Sequence, residues 1–320
     1  MSENQSTVDV LQLGAYAPAD EAALSQHVVL HRYFEMDNQT EWLKDRGQST
    51  RIIATRGDLA VPKSLIDQLP NLELVVVYGV GFDGVDLDAC RASNVRVTNT
   101  PDVLTDDVAD VALGMMLTHY RGVIGADAWV RNGHWESQGA YPLKRSLKSL
   151  RAGVLGLGRI GQAIAKRCEA FGQTVLYSAT AEKKNLPGPW SYVGNARQLA
   201  EQSDVLFVSL AATAATKHIV NRQVIDSVGP DGMVVNISRA QNIDENAMLE
   251  ALESGRLGGA GLDVFEGEPN VNPRFFALDN VVLQPHHGSA TAETRAGMGR
   301  LVLDNIVAHI NGTPLITPVL

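Results

Sequence analysis

The sequence predicts a two-domain α/β protein in which each domain is built on a doubly wound parallel sheet. The first observation is the length of 320 residues, which at about 150 residues per domain is enough for two cores. The second is the alternation of short apolar runs with longer amphipathic runs, a pattern typical of parallel strands joined by helices. The third is that two such series follow one another, separated by an amphipathic helical pattern.

The composition excludes several classes of partner. The chain carries 27 Lys and Arg against 36 Asp and Glu, which gives a net charge of −9, and it has no stripe of basic residues. Nucleic acids and anionic membrane surfaces are therefore excluded as main partners, because phosphate binding requires dense positive charge. The sequence also has no run of about 18 uncharged apolar residues, the length that a membrane span requires.

The N-terminus and the cysteines predict the cellular compartment. Residues 1–10 lack the basic start and the apolar run of a signal peptide. Cys90 and Cys168 are too few for a disulfide framework and lack the spacing of metal ligands. We therefore expect a cytoplasmic protein in a reducing compartment, with no metal site.

The first series of apolar runs predicts the sheet of the N-terminal domain. Successive runs begin about twenty residues apart, which leaves room for the helical crossover that parallel strands need. The predicted strands are Val8–Leu13, Val28–Leu30, Ile52–Ala54, Leu74–Val77 and Val95–Thr98.

The second series predicts a separate parallel sheet. Its strands are Gly153–Leu155, Thr174–Tyr177, Val205–Leu210, Met233–Ile237, Ala260–Val264 and Val281–Leu283. Between the two series, Thr105–Tyr120 has an apolar stripe at helical spacing, and Thr105 is placed to cap that helix. A last amphipathic helix is predicted over Ala292–Ile310. Because no strand follows it, we expect this helix to return and pack on the first domain.

A glycine-rich loop is the strongest local signal for a ligand. It consists of Gly156, Leu157, Gly158, Arg159, Ile160 and Gly161, between a predicted strand and a helical pattern over Gln162–Phe171. The glycines allow a tight turn, a close approach of pyrophosphate to the backbone and close packing of helix on strand. The order strand, loop, helix, strand predicts a Rossmann dinucleotide-binding domain. The alternatives are a turn that merely needs glycines, or the adenosylmethionine loop of a methyltransferase.

The segment after the second strand of this domain predicts the type of dinucleotide. An NAD site usually places Asp or Glu there to bind the ribose 2′-hydroxyl, but residues 177–181 contain no carboxylate. A 2′-phosphate would meet no repulsion, and four residues offer donors to it, namely Ser178, Thr180, Lys183 and Arg159. We therefore expect NADP(H) to be preferred. NAD(H) stays possible because Glu182 could bend back to the ribose.

Three later segments each begin at the predicted carboxyl end of a strand. They are residues 236–240, 261–269 and 284–291. Because open α/β sheets bind ligands at this edge, the second domain is expected to bring an Arg, a carboxylate and a His together.

With these segments in place, the sequence resembles the D-isomer-specific 2-hydroxyacid dehydrogenases, particularly their glyoxylate/hydroxypyruvate reductase and plant-type hydroxyphenylpyruvate reductase branch. The resemblance covers nearly the whole chain and includes residues 78–83, 98–102 and 105–110, the glycine loop and the three segments above. It implies a flavodoxin-like substrate-binding domain of residues 1–99, completed by 288–320. An NAD(P)-binding Rossmann domain of residues 100–287 is inserted into it.

The resemblance also implies the catalytic roles. Arg239 binds the substrate carboxylate together with the main-chain N–H groups of Val80 and Gly81, His286 is the acid/base, and Glu268 is its partner. Reduction of a 2-keto acid requires a cation that binds the carboxylate and a donor that protonates the carbonyl oxygen. Arg can bind a carboxylate with two parallel hydrogen bonds, and His can donate a proton near neutral pH.

Other positions match the family less directly. Residues implied to line the cofactor are Leu210, Thr216, Ile237, Asp263, His286 and Gly288, although Asp263 could equally be a turn cap. His287 and Ala240 depart from the family pattern, and Thr180 stands where NADP-dependent relatives often carry Arg. Trp135 and Tyr141 lie in a loop that in relatives reaches toward the partner subunit, or else they are interface or core aromatics.

We therefore expect NADPH-dependent reduction of glyoxylate and hydroxypyruvate to glycolate and D-glycerate by a homodimer. A larger 2-keto acid such as hydroxyphenylpyruvate or 2-ketogluconate is the nearest alternative. A dinucleotide-sensing, corepressor-like protein without enzyme activity and a phosphite- or formate-type oxidoreductase are the others.

Overall fold

The computed structural model describes residues 8–320, which contain two α/β units. The strands are β1 (Val8–Gln12), β2 (Val28–Arg32), β3 (Thr50–Arg56), β4 (Leu74–Tyr78), β5 (Arg96–Thr98), β6 (Arg151–Leu155), β7 (Thr174–Ser178), β8 (Ser191–Tyr192), β9 (Val205–Val208), β10 (Met233–Asn236), β11 (Gly259–Leu262) and β12 (Val281–Leu283). The helices are α1 (Pro18–Leu24), α2 (Gln39–Arg46), α3 (Lys63–Ile66), α4 (Leu87–Ala92), α5 (Thr105–Arg121), α6 (Val123–Arg131), α7 (His134–Gln138), α8 (Arg159–Ala170), α9 (Ala196–Glu201), α10 (Arg222–Val228), α11 (Glu245–Glu253) and α12 (Ala292–Ile310). The predicted absence of a signal peptide concerns mainly residues 1–7, which lie outside the described residues.

Unit 1 comprises residues 8–104 together with Ala290–Leu320. Its five strands are all parallel, in the order β2-β1-β3-β4-β5, which is the flavodoxin-like doubly wound order. All five residues of β4 are buried, because a parallel sheet is covered by helices on both faces. Helix α12 packs against β4 and α1, as the sequence predicted.

A buried amide holds the C-terminal segment of unit 1 in place. The Asn305 side chain is fully buried. Its Nδ2 donates to the Leu301 carbonyl and to Thr317 Oγ1 at 2.7 and 2.9 Å, and its Oδ1 accepts the N–H groups of Ile316 and Thr317. Thr317 Oγ1 in turn donates to the Asn99 carbonyl at 2.6 Å. All four hydrogen-bonding positions of this amide are therefore used.

Unit 2 comprises Thr105–Ser289, and it is a Rossmann domain. Its seven strands are parallel, in the order β12-β11-β10-β9-β6-β7-β8. The strand order reverses between β6 and β9, and this switch point is where open α/β sheets bind ligands. The two-residue strand β8 was not predicted because it has too few residues to produce an apolar pattern.

Two local predictions in unit 2 need correction. The Oγ1 atom of Thr105 is buried and has no hydrogen-bond partner among the described residues. Thr105 therefore does not cap α5, because it is the first helical residue rather than the residue before the helix. Helix α8 starts at Arg159, three residues before the predicted start, since glycines and Ile160 obscure the polar start of a helix in a sequence pattern. Within residues 8–320, no helix has both the length and the apolarity needed to cross a membrane.

Candidate active site

The glycine loop between β6 and α8 has backbone geometry that only glycine satisfies. Gly156 has a φ of +99°, in a region that residues with a Cβ rarely adopt. A Cβ on Gly161 would lie 2.1 Å from the Gly156 carbonyl oxygen, so the loop and the first turn of α8 could not approach each other with any other residue there. Gly156 and Gly161 are thus required by local geometry, independently of any ligand.

The middle glycine leaves room for a ligand at the start of α8. Gly158 is the N-cap of this twelve-residue helix and has no side chain to cap it. It is exposed, and a Cβ placed on it would meet no atom within 4 Å. The N-terminus of a helix attracts anions through its N–H groups and its dipole. The loop therefore fits the pyrophosphate of a dinucleotide, and Gly156, Leu157, Gly158, Arg159, Ile160 and Gly161 are the residues that would hold it.

The segment after β7 presents donors and no buried carboxylate. Ser178 is only 5% exposed, whereas Thr180 and Lys183 are exposed, as is Arg159 at the start of α8. The Lys183 N–H donates to the Tyr177 hydroxyl at 2.9 Å, which ties this turn back to β7. Of the four predicted donors, Thr180, Lys183 and Arg159 are thus accessible, and Ser178 is buried.

The paired strands β10, β11 and β12 bring the predicted polar residues to one edge. Asn236 at the end of β10 pairs with Leu262 of β11, and Leu262 pairs with Leu283 of β12. The carboxyl ends of the three strands are therefore level. The residues that follow them, Arg239 and His286 among them, are close enough for the Arg239 charge to act on the pKa of His286.

His286 and Glu268 form a hydrogen-bonded pair. The His286 Nδ1 atom lies 2.8 Å from Glu268 Oε2, and the other carboxylate oxygen accepts the Phe265 N–H at 2.8 Å. The hydrogen bond to Glu268 raises the pKa of His286 above its ordinary value, against the opposing effect of burial. Burial raises the pKa of Glu268, but the hydrogen bonds from His286 and Phe265 outweigh it, so this pKa lies below its ordinary value. The pair favours an imidazolium that can donate from Nε2.

Asp263 holds the turn on which His286 lies. Its carboxylate is 2% exposed, and its two oxygens accept the N–H groups of His287 and Gly288 at 2.5 and 2.9 Å. His286 itself has a φ of +53°, a left-handed conformation that is uncommon for residues other than glycine. Burial raises the pKa of Asp263, while the two N–H donors lower it. The Asp263 carboxylate thus fixes the backbone of the His286 turn by two hydrogen bonds. The resemblance implies a cofactor contact for Asp263 in addition.

Arg239 follows β10 in extended conformation, with φ −141° and ψ 146°. Its Nη1 atom donates to the Ser238 carbonyl at 2.9 Å, and the side chain is partly exposed. The residues around it, Asn236, Ser238 and Asn242, are buried polar residues to which the sequence reasoning assigned no role. The only signal for them was four amide or hydroxyl side chains within residues 236–242, at the end of an apolar strand.

The other predicted site residues are placed as follows. Leu210 and Ile237 follow β9 and β10, and Gly288 follows β12. Thr216 Oγ1 accepts the Thr213 N–H at 2.8 Å and donates to the Ala211 carbonyl at 2.9 Å, so this hydroxyl closes its own loop.

The remaining predicted residues lie in other segments. Val80 and Gly81 follow β4 in unit 1, where the Val80 carbonyl accepts from Asn99 Nδ2 at 2.8 Å. Trp135 is 65% exposed, and Tyr141 packs edge-on against Trp129 with ring centroids 5.7 Å apart.

Comparison with known sequences identifies a family model. Residues 113–288 match the model described as "D-isomer specific 2-hydroxyacid dehydrogenase, NAD binding domain". The match spans most of unit 2, including the glycine loop, Arg239, Glu268 and His286.

Similar proteins cover almost the whole chain. It is 44% identical to hydroxyphenylpyruvate reductase from Plectranthus scutellarioides over 98% of this chain and 99% of that protein. It is 42% identical to glyoxylate/hydroxypyruvate reductase A from Arabidopsis thaliana, over 98% and 99%, and 41% identical to 2-ketogluconate reductase from Gluconobacter oxydans, again over 98% and 99%.

Two solved structures resemble this one over the same extent. A 2-hydroxyacid dehydrogenase from Ketogulonicigenium vulgare is 54% identical with a TM-score of 0.92, over 98% of each chain. An NADPH-dependent glyoxylate/hydroxypyruvate reductase from Sinorhizobium meliloti, in complex with NADP and malonate, is 38% identical with a TM-score of 0.90, over 98% of this chain and 97% of that one.

The effect of Asp263 on the His286 turn can be tested by Asp263→Asn. We expect the pKa of His286 to fall, because the negative charge that favours the imidazolium is lost and an NH₂ donor replaces one of the two accepting oxygens. The measurement is a titration of the histidine ring nitrogens by NMR. Asp279→Asn, which makes the same charge change on an exposed residue before β12, should leave the pKa in place. An unchanged His286 pKa in Asp263→Asn would contradict the assignment.

Proposed function

The chain belongs to the D-isomer-specific 2-hydroxyacid dehydrogenases, and from this premise we propose that it reduces glyoxylate to glycolate and hydroxypyruvate to D-glycerate with NADPH. As a member of this family it is an NAD(P)-dependent oxidoreductase. The observation that carries the proposal is the His286–Glu268 pair at the same sheet edge as Arg239. Together they supply a proton donor and a carboxylate-binding cation.

Arg239 is proposed to bind the substrate carboxylate. A guanidinium presents two parallel N–H donors to the two oxygens of a carboxylate and keeps its charge at all working pH values. The extended backbone and partly exposed side chain of Arg239 are compatible with binding a substrate carboxylate. Val80 and Gly81 stay predictions as further substrate-binding residues, as does the assignment of unit 1 as the substrate-binding domain.

His286 is proposed to donate a proton from Nε2 to the carbonyl oxygen of the keto acid. The bound dinucleotide would supply the hydride for the carbonyl carbon. Glu268 fixes the ring by holding Nδ1 and raises the pKa of His286, so that the donor form is present near neutral pH. In the reverse direction the same Nε2 would accept the proton from the hydroxy acid.

The preference for NADPH is proposed from the residues after β7. No carboxylate ends that strand, and Thr180, Lys183 and Arg159 present exposed donors. A 2′-phosphate carries negative charge that these groups can bind, whereas a ribose 2′-hydroxyl usually requires an acidic acceptor. The similar structure from S. meliloti is of an NADPH-dependent enzyme, which supports the same preference.

A homodimer is proposed from an exposed apolar surface of unit 2. In the segment that contains α6 and α7, the exposed residues include Val123, Ile124, Val130, Trp135 and Leu143. Several large apolar side chains exposed close together in the chain favour an interaction surface, because contiguous exposed apolar area commonly marks one. Light scattering should give twice the mass of the chain, and a monomer mass at micromolar concentration would exclude the dimer.

Larger 2-keto acids are the second candidate for the substrate. The similarity to a hydroxyphenylpyruvate reductase and to a 2-ketogluconate reductase is as extensive as that to a glyoxylate/hydroxypyruvate reductase. The three names share a 2-keto acid and differ in the group attached to it. They therefore support the reaction more strongly than the individual substrate.

The pH dependence tests the role of Glu268. The folded-state pKa of His286 is raised, so reduction should persist through neutral pH and be lost as the pH rises through that pKa. In Glu268→Gln the interaction that raises the pKa of His286 is lost, and we expect the alkaline limb of the kcat/KM profile to move to lower pH.

His286→Asn should lower kcat by about 10²- to 10⁴-fold because the proton donor is gone.

The matched control for this prediction is Glu266→Gln. Glu266 is an exposed carboxylate two residues away, and its removal changes the net charge to the same degree. Its pH profile should coincide with that of the wild type. If Glu268→Gln also keeps the wild-type profile, Glu268 does not set the pKa of the catalytic proton donor.

The substrate and cofactor are tested together by a matrix of kcat/KM values. The substrates are glyoxylate, hydroxypyruvate, pyruvate, hydroxyphenylpyruvate and 2-ketogluconate, each with NADPH and with NADH. We expect the highest values for glyoxylate and hydroxypyruvate with NADPH. Preference for a larger acid or for NADH would replace that part of the proposal and keep the catalytic residues. No turnover of any keto acid would refute the proposed function.

A further inference from the structure

The turn that carries Arg239 is held from inside the protein by a chain of buried side chains. We propose that Ser238 and Asn242 are positioning residues, which hold Arg239 at a set place relative to the dinucleotide loop. This inference rests on the proposed function, because it assumes that Arg239 binds the substrate carboxylate. It assigns to Ser238 and Asn242 a role in substrate affinity rather than in stability alone.

The first link joins Asn236 to both sides of the turn. Asn236 is 1% exposed. Its Oδ1 accepts from the Ser238 N–H at 3.0 Å and from the Ser238 hydroxyl at 2.7 Å, while its Nδ2 donates to the Arg239 carbonyl at 3.0 Å. One amide thus fixes the backbone immediately before and at Arg239.

The second link is Asn242, which is fully buried three residues after Arg239. Its two Nδ2 hydrogens are used by the Ser238 hydroxyl oxygen at 3.0 Å and the Leu210 carbonyl at 3.2 Å. The Asn242 N–H also donates to the Arg239 carbonyl at 3.2 Å. Exchanging the Nδ2 and Oδ1 atoms would place two oxygens against each other at Leu210, so the amide has one orientation.

The remaining atom of this amide carries a local cost, which the buried amide oxygens of Gln12 and Gln173 share. Asn242 Oδ1 is buried without a hydrogen-bond partner in the described part of the chain. A buried polar atom without a partner reduces stability, and an apolar side chain of similar volume would avoid that cost. The compensating benefit we infer is geometric, because hydrogen bonds restrict position and direction more sharply than apolar contacts do.

The third link connects this network to the dinucleotide loop. Leu210, whose carbonyl accepts from Asn242, borders Gly156: a Cβ on Gly156 would lie 3.0 Å from the Leu210 nitrogen. Arg239 is therefore connected through Ser238, Asn242 and Leu210 to the first glycine of the loop. These contacts would hold a carboxylate bound to Arg239 and a dinucleotide bound to the loop at a fixed distance and orientation to each other. Correct mutual placement of reactants contributes strongly to rate.

A double-mutant cycle separates positioning from a purely structural role. The variants are Asn242→Leu, Arg239→Lys and the double variant, and the probe is oxamate, an unreactive analogue of glyoxylate. Its Kd is measured by calorimetry on protein saturated with NADPH or NADH. We expect Asn242→Leu alone to weaken oxamate binding about tenfold through misplacement of the guanidinium.

In the Arg239→Lys background, Asn242→Leu should change the Kd of oxamate by less than about threefold. The effects of two substitutions are not additive when both act through the same interaction. The Kd of the dinucleotide itself should stay within about twofold of the wild-type value in Asn242→Leu, since the glycine loop keeps its own backbone contacts. Equal effects of Asn242→Leu in the two backgrounds would overturn the inference. An unchanged oxamate Kd in Asn242→Leu would do the same.

The matched control is Gln173→Leu, at the amino end of β7 and so at the edge of the sheet opposite the site. Gln173 is also buried, its Nε2 donates to the Leu147 carbonyl at 3.2 Å, and its Oε1 also has no hydrogen-bond partner among the described residues. We expect this control to lower the Tm and leave the oxamate Kd within about twofold of wild type. If Asn242→Leu does not fold, Ser238→Ala breaks the same chain of contacts with a smaller change and should give the same non-additivity with Arg239→Lys.

The wild-type result distinguishes the two proposals. If the wild-type protein turns over a keto acid and binds oxamate, but the effects of the two substitutions are additive, only the positioning role is refuted. A wild-type protein that neither binds oxamate nor reduces any keto acid refutes the proposed function, and the role of Ser238 and Asn242 with it.

Discussion

The level pairing of β10, β11 and β12 is the constraint on which the rest of the site depends. Asn236, Leu262 and Leu283 lie side by side in the parallel sheet, so the three following segments emerge at the same height. A shift of one residue in either pairing would turn every side chain of that strand to the other face. Arg239, Asp263 and His286 are neighbours because of this register, although 47 positions separate the first from the last in the numbering.

Register alone does not orient the polar groups, and two buried side chains do this locally. Asp263 accepts two N–H groups and holds His286 in a left-handed conformation. Asn242 donates to Ser238 and to Leu210 behind Arg239. Both groups have an unfavourable feature, a carboxylate whose pKa is raised by burial in one case and an unpartnered amide oxygen in the other.

Much of the site was predictable because its signals are local in the chain. The glycine loop needs three glycines within six residues, and the structure shows the close contact that excludes a side chain at Gly161. Arg239, Glu268 and His286 were predicted from their position after strands and from a family resemblance. The capping role of Thr105 was wrong because a shift of one residue in the helix start moves the hydroxyl from the cap to the first turn.

The sequence by itself determined the two α/β units, the order of most strands and helices, the dinucleotide loop and the identity of the ionisable groups, because periodicity, glycine spacing and residue chemistry are carried by neighbouring residues. Only the tertiary structure decided which oxygen of Glu268 meets His286, that Asp263 binds the backbone of the His286 turn, and that Asn242 links Arg239 to Leu210. These contacts join residues from different strands. Their distances depend on sheet register and side-chain rotamers, which arise from packing the whole unit and leave no periodic trace in the sequence.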